Sequence, residues 1–428
     1  MYSGIKPLHI LLVLFVFGFV YSSNKFNSDI EHTFITTEHT LPSSAATELI
    51  IGSVTRKTVN RPFDSVVHAP SIVLSRTGDI FATWWAGSRE GGKDVNVYFA
   101  QYSPGSEQWS HRKVLVTAKS AESETSRYVR KLGNSIITED LNGNLHIFYV
   151  SVSVGGWAAS ALNWIKSEDQ GKTWTKSKRL ITAPFLNLST LVKGAPIFYQ
   201  DGSIGIPVYH EFAGKLGEML RVSTDGNVIN KKRLSRFRSA LQPVIHALGP
   251  KSAKVLMRYA GDGEHRVLQT ATTDGGKTWS KPSRISIPNP NSAVALAHHD
   301  SAGEIGVFND LTSDRYRLRL YRYDNELNWS PVFSFEDKTM EQGSEITPEI
   351  FERALLKDLQ QFEGTQADKV ASIQQAAKSM CTTKKCEFQF DYPYLIQGKG
   401  RTYHLVYTWN KTSIQHITFT ATEKEQTL

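Results

Sequence analysis

The sequence predicts an all-β fold of six repeated units with one helical insertion, and three observations carry that prediction. Six β-rich runs, five of them entered by a turn glycine, recur along the chain: "GDIFATWW" from 78, "GNLHIFYV" from 143, "GSIGIPVY" from 202, "AKVLMRYA" from 253, "GEIGVFND" from 303 and "GRTYHLVY" from 400. Short β-rich runs bounded by turns read as strands. An eight-residue pattern is written almost identically at 167–174 ("SEDQGKTW") and 272–279 ("TTDGGKTW"), with degenerate copies ending at Trp109 and Trp329 and another around Asp225. The steps between units are about 50 to 65 residues, the span of one four-stranded blade, so the expected architecture is a six-bladed β-propeller. The third observation is that the last step, from 303 to 400, is stretched by a segment of helical spacing.

Taken in chain order, the first element is an apolar run from Ile10 to Val20 behind Lys6 and His9. It is shorter than the roughly 20 residues that cross a bilayer and suits the core of a signal peptide. Residues 1–23 are therefore read as a signal peptide or an uncleaved signal anchor, 24–50 as a linker and 51–428 as the propeller. This predicts a secreted or periplasmic protein, touching a membrane only if the segment stays as an anchor.

The repeated motif is expected to close hairpins. Its Asp accepts hydrogen bonds from its own loop, its Gly takes a positive φ and its Trp packs on a neighbouring blade. Asp169 and Asp274 are on this reading structural.

Within the stretched period, Thr347-Pro348 is a helix start. Apolar residues at 350, 351, 355, 356 and 359 follow at helical spacing, and a second helix is expected over Ala367–Met380. This insertion, about 345–380 between blades 5 and 6, is expected to be dispensable for the propeller. Cys381 and Cys386 close it with an expected local disulfide, which suits an oxidising compartment.

The net charge of +8 is spread along the chain, and aromatic residues make up 11% of it. No phosphate loop, dinucleotide fingerprint or nucleic-acid motif is present. "HHD" at 298–300 leads into a turn and is not read as a metal site. No cofactor, metal or nucleic-acid partner is expected, and the sequence is silent on oligomeric state.

The repeated motif is the Asp-box, and the six periods resemble the sialidase propeller. Longer strings are similar to the BNR-repeat predicted neuraminidases: "HAPSIVLSRTGDIFATWWAGSREGGKDV", "VGGWAASALNWIKSEDQGKTW", "APFLNLSTLVKGAPI", "IPVYHEF", "PNPNSAV" and "DYPYLIQ". The resemblance implies a central pocket where arginines clamp a substrate carboxylate, a Tyr attacks the anomeric carbon and an Asp serves as acid and base. Placed by that pattern, Arg258 and either Arg315 or Arg317 bind the carboxylate, Tyr392 is the nucleophile and Asp94 the acid/base, with Glu90 in the same Gly-rich loop.

Two departures from the pattern stand out. His68, in "HAP", occupies the place of the first arginine. The Glu that would activate the Tyr falls at about Ala247, with Gln242 and His246 as neighbours and Glu211 in "YHEF" as a stand-in from another blade.

The function these residues imply is an exported glycoside hydrolase of sialidase type acting on a terminal acidic sugar, with an acidic glycan as its partner. Two other readings remain open: a polysaccharide lyase using His68, Tyr392 and Arg258, and a glycan-binding propeller without turnover.

Overall fold

A computed structural model describes residues 11–16, 32–36, 48–183, 187–300, 303–323, 328–342, 345–360, 362 and 364–424. Most of the expected signal segment 1–23 lies outside these residues, as does much of 24–50. Among the described residues no helix is long and apolar enough to cross a membrane.

The described residues form six antiparallel sheets, each of four or five strands, arranged as a six-bladed propeller. The first strands of the blades are Val66–Leu74, Lys131–Glu139, Leu191–Val192, Ala240–Ala247, Ala295–His299 and Phe390–Gln397. They are largely buried, as expected where each strand is covered by two neighbouring blades. The ring closes by mixing the two ends of the chain. Leu49–Thr58 pairs antiparallel with Ser413–Glu423 as the outermost strand of blade 6, with Ile50 opposite Thr422 and Thr58 opposite Gln415. The propeller thus begins at Leu49, and closure leaves this blade without a free outer edge on that side of Ser413–Glu423. Part of the expected linker is also packed: Phe34 is buried and its ring lies 5.2 Å from Tyr199 of blade 3.

The Asp-box turns join the third and fourth strands of their blades. In blade 2, Asp169 accepts from Ser167 Oγ (2.8 Å), from Thr173 N (2.9 Å) and from Thr173 Oγ1 (2.6 Å). Gly171 takes a φ of 81°, a conformation open to glycine at little cost. Trp174 then meets Phe99 of blade 1 edge-on at 5.6 Å. Asp274 makes the same bonds to Thr272 and Thr278. The Thr173 hydroxyl and amide hold Asp169 down at about 2. For Asp274, burial pushes upward but the Thr278 bonds prevail and hold it at about 2.

The inner strands carry a second repeated device. Register breaks occur between His68 and Ser71, Leu132 and Ser135, Leu241 and Val244, and Asp391 and Tyr394. These are β-bulges, which re-aim side chains. Three of them place a non-glycine residue at positive φ immediately before proline: Ala69 (53°), Gln242 (49°) and Tyr392 (53°). Such backbone costs about 1–3 kcal/mol each and persists only where the surrounding packing enforces it.

The insertion is two helices, Pro348–Leu359 and Gln366–Met380, capped by Thr347 and Thr365. It is not the dispensable excursion its sequence suggests. Phe351 and Leu355 are fully buried in one apolar cluster with Leu320 of blade 5 and Tyr407 and Trp409 of blade 6. Phe351 packs on Phe388 at 4.7 Å and Phe362 on Trp409 at 5.5 Å. Lys338 Nζ, just after blade 5, donates to Asp358 at 2.6 Å. The helical face reads correctly from the sequence, and in the structure that face covers apolar residues of blades 5 and 6. The Cys381–Cys386 disulfide is formed at the end of the second helix.

Candidate active site

A cavity of about 150 Å³ opens at the propeller axis, and five blades contribute to its lining. The inner-strand bulges build its floor. Blade 4 presents Gln242, blade 6 presents Tyr392, and blade 2 presents Asn134 from the corresponding bulge. Blade 3 adds Tyr209 and Glu211 from the end of Ile204–His210, and blade 4 adds Arg258 from Ala253–Tyr259. Glu90, from the loop after Ile80–Gly87, and Trp157 complete the wall together with Leu191.

A hydrogen-bond chain crosses the floor. Arg258 Nη1 donates to Gln242 Oε1 at 3.1 Å, and Gln242 Nε2 donates to Tyr392 Oη at 2.9 Å. Arg258 Nε also donates to Asn291 Oδ1 at 2.6 Å. Among the described residues two of the five N–H donors of the guanidinium are thus engaged, and three remain for a ligand. The Gln242 amide is fixed by its two neighbours, oxygen toward the cation and nitrogen toward the phenol. Tyr392 Oη therefore receives a hydrogen bond from the amide. Tyr209 Oη accepts from Asn134 at 3.3 Å, and burial pushes its phenol well above the usual range.

The two pocket carboxylates differ from those of the rim. Among the described residues, neither Glu90 nor Glu211 has a hydrogen bond or ion pair through its side chain. Burial raises the Glu211 carboxyl above its ordinary value, partly offset by the nearby Arg258. A carboxyl whose proton is held more tightly by burial in a cleft has the property a general acid needs.

The other residues singled out from sequence lie around this floor rather than in it. His68 is buried behind Tyr392, ring to ring at 4.3 Å. Burial lowers it to about 4, so it is neutral at physiological pH. Arg315 bonds Asp391 Oδ1 (2.8 Å) and the Asn291 carbonyl (2.7 Å), bracing the residues next to Tyr392 and Arg258. Arg317 turns away to Asp310 at 2.6 Å. Of that pair, Arg315 is thus the one beside the pocket. Asp94 does not enter it. Its carboxylate accepts from Ser88 N (2.7 Å) and Ser88 Oγ (2.9 Å), tying the loop that carries Glu90. Ala247 lies at the opposite end of its strand from the pocket, and the residue facing Tyr392 is Gln242.

The sequence reading left Asn134, Tyr209, Trp157 and Lys193 unassigned. Lys193 is buried and donates to the Pro393 carbonyl at 2.9 Å, its ammonium 4.9 Å from the Tyr394 ring. Burial lowers it to about 7. The signal available for Asn134 was positional: "GNS" occupies the place of "APS", "QPV" and "YPY" in other blades. Among the described residues no three His, Cys, Asp or Glu side chains are grouped to hold a metal.

Residues 78–405 match the BNR repeat-like domain family, and the chain belongs to it. No curated protein matches it in sequence. Among solved structures it is similar to a protein of unknown function from Dyadobacter fermentans (TM-score 0.61, 11% identity, covering 86% of this chain and 99% of that one). It is also similar to the NanB sialidase of Streptococcus pneumoniae (0.56, 9%, covering 91% and 71%). A third likeness is to the Penicillium chrysogenum α-L-arabinanase complexed with arabinobiose (0.56, 11%, covering 88% and 100%). At these identities the likeness is one of fold.

Proposed function

We propose that the protein is an exported glycoside hydrolase that removes a terminal acidic sugar from glycans. The observation that carries this reading is the Arg258–Gln242–Tyr392 chain on the pocket floor, with unpaired Glu90 and Glu211 beside it. The free N–H groups of Arg258 hold the sugar carboxylate, a task suited to a planar guanidinium. Glu211 donates its proton to the glycosidic oxygen as that bond breaks. Tyr392 Oη forms the bond to the anomeric carbon, its proton passing to Glu90. A phenol suits this step because, unlike a carboxylate, it is not repelled by an anionic substrate. Water then bonds to the anomeric carbon and gives its proton to the ionised Glu211 as the glycosyl–tyrosine bond breaks, and the proton on Glu90 returns to the departing phenolate, so the configuration is retained. Gln242 stands where a carboxylate base would sit and stabilises the phenolate by donation. The N-terminal apolar run and the oxidised Cys381–Cys386 pair support export.

The test is a panel of fluorogenic glycosides of sialic, glucuronic and galacturonic acids, with an arabinofuranoside as the neutral member. Release from an acidic member alone is expected. Release from the arabinofuranoside would overturn the acidic specificity. An unsaturated product absorbing in the near ultraviolet would assign lyase chemistry to Tyr392 and the neutral His68 packed on it. Binding without release would reduce the pocket to a glycan receptor.

A further inference from the structure

A second cavity of about 230 Å³ adjoins the central one, and Glu90 lines both. His68 forms part of its wall, so the Tyr392–His68 ring pair separates the two spaces. Three cations converge on it from segments far apart in sequence: Arg89 from the blade 1 loop, Lys378 from the second insertion helix and Lys411 from the turn after Thr402–Trp409. A lone lysine in the last turn of a helix is ordinary, since it complements the helix dipole. Three like charges from three elements around one cavity are not explained that way. Among the described residues none of the three is in an ion pair, and Glu90 is the only carboxylate in the lining. A cleft whose lining carries a net positive charge concentrates anions.

We infer that this cavity is a binding site for a second anionic group of the substrate, a carboxylate or sulfate on the sugar next to the one held at the axis. The helical insertion then has a role at the site as well as in the core: its second helix supplies Lys378, and Gln375 beside it offers a polar amide to the same space. The identity of the ligand rests on the proposed action on acidic glycans, whereas the existence of an anion site does not. Substrates bearing two negative charges, on the terminal and on the adjoining sugar, are those the molecule is built to prefer.

Inorganic sulfate at low millimolar concentration, against chloride at matched ionic strength, is the first probe. Thermal melts of the wild type should rise by roughly 2–4 °C at saturation. Lys378→Gln and Lys411→Gln should each lose most of that rise while folding normally, and Arg258→Lys should keep it. No rise in the wild type, or an equal rise in both lysine variants, would overturn the site. A rise lost only in Arg258→Lys would overturn it too, while leaving the central pocket as an anion site. Calorimetry with digalacturonate and with a sulfated disaccharide then separates the two sources. About a tenfold loss of affinity in Lys378→Gln for one of them names the group, and unchanged affinity for both would overturn the inference.

Discussion

Asp169 and Asp274 on the rim have their carboxylates filled by bonds from their own turns, whereas Glu90 and Glu211 at the axis have no such bonds among the described residues. The same contrast runs through the backbone. The two full Asp-box turns repeat their letters because both do the same work, closing a hairpin through the bonds of the Asp to its own loop. The inner-strand bulges repeat a conformation while the residue at positive φ changes from Ala69 to Gln242 to Tyr392. Repeated letters here serve the fold, and a repeated backbone with changing letters serves the pocket.

The largest expected effect concerns which side of that division the insertion falls on. Phe351→Ala should cost about 3–5 kcal/mol, the range for a buried aromatic whose site cannot collapse. Thermal or urea unfolding measures it, and a loss under about 1 kcal/mol would return the helices to the status of a peripheral loop.

Glu211→Gln sharpens the comparison from the axis. Turnover should fall about 10²–10⁴-fold, the usual worth of a general acid. The folded carboxyl is raised, so the stability it contributes is present below the ordinary Glu range and is lost as pH rises through its folded value. The variant should therefore melt higher than wild type at neutral pH while losing activity. A variant that loses both would place Glu211 among the structural acids.

Asp274→Ala is the opposite case. Losing the turn bonds should cost about 1–2 kcal/mol, and turnover per folded molecule should stay unchanged. Both Asp-box carboxyls are held at about 2, below their ordinary value. The stability they give is thus present above the ordinary Asp range and disappears as pH falls toward about 2. An acid melt of Asp274→Ala should lie closer to wild type than a neutral melt does, and an unchanged gap would contradict this. The smallest effect belongs to Asp94→Asn. Its bonds to Ser88 tie a surface loop, so turnover should change by no more than a few-fold, and a thousand-fold loss would restore it to the chemistry.

The contrast also explains what the letters disclosed. Blade count, Asp-box roles and both helices were readable because their periods and caps are local. Arg258, Tyr392, Glu90 and Glu211 could be picked out as chemical types, and the structure gathers these four around one cavity. The neighbours that complete them were harder to read. The acidic partner of Tyr392 is expected at about Ala247, whereas the residue that bonds it is Gln242, five residues earlier on the same strand, and nothing local in the sequence marks which end of that strand reaches the axis. Asp94 and Glu90 share one loop, and only its turn decides which faces the axis. Arg315 and Arg317 lie two apart, and the partners Asp391 and Asp310 separate them. The feature common to three bulges, a residue at positive φ before proline, becomes visible only once the register breaks are known.

Tyr392→Phe, assayed beside wild type and Asp274→Ala on one acidic fluorogenic glycoside, tests the central claim most directly. Each rate is divided by the folded fraction from circular dichroism. The account predicts a loss of about a thousand-fold or more for Tyr392→Phe, with its melt close to wild type, and no loss for Asp274→Ala. Turnover by Tyr392→Phe within about twofold of wild type would contradict it, because the bulge residue at the axis would then be packing and the chemistry would lie elsewhere.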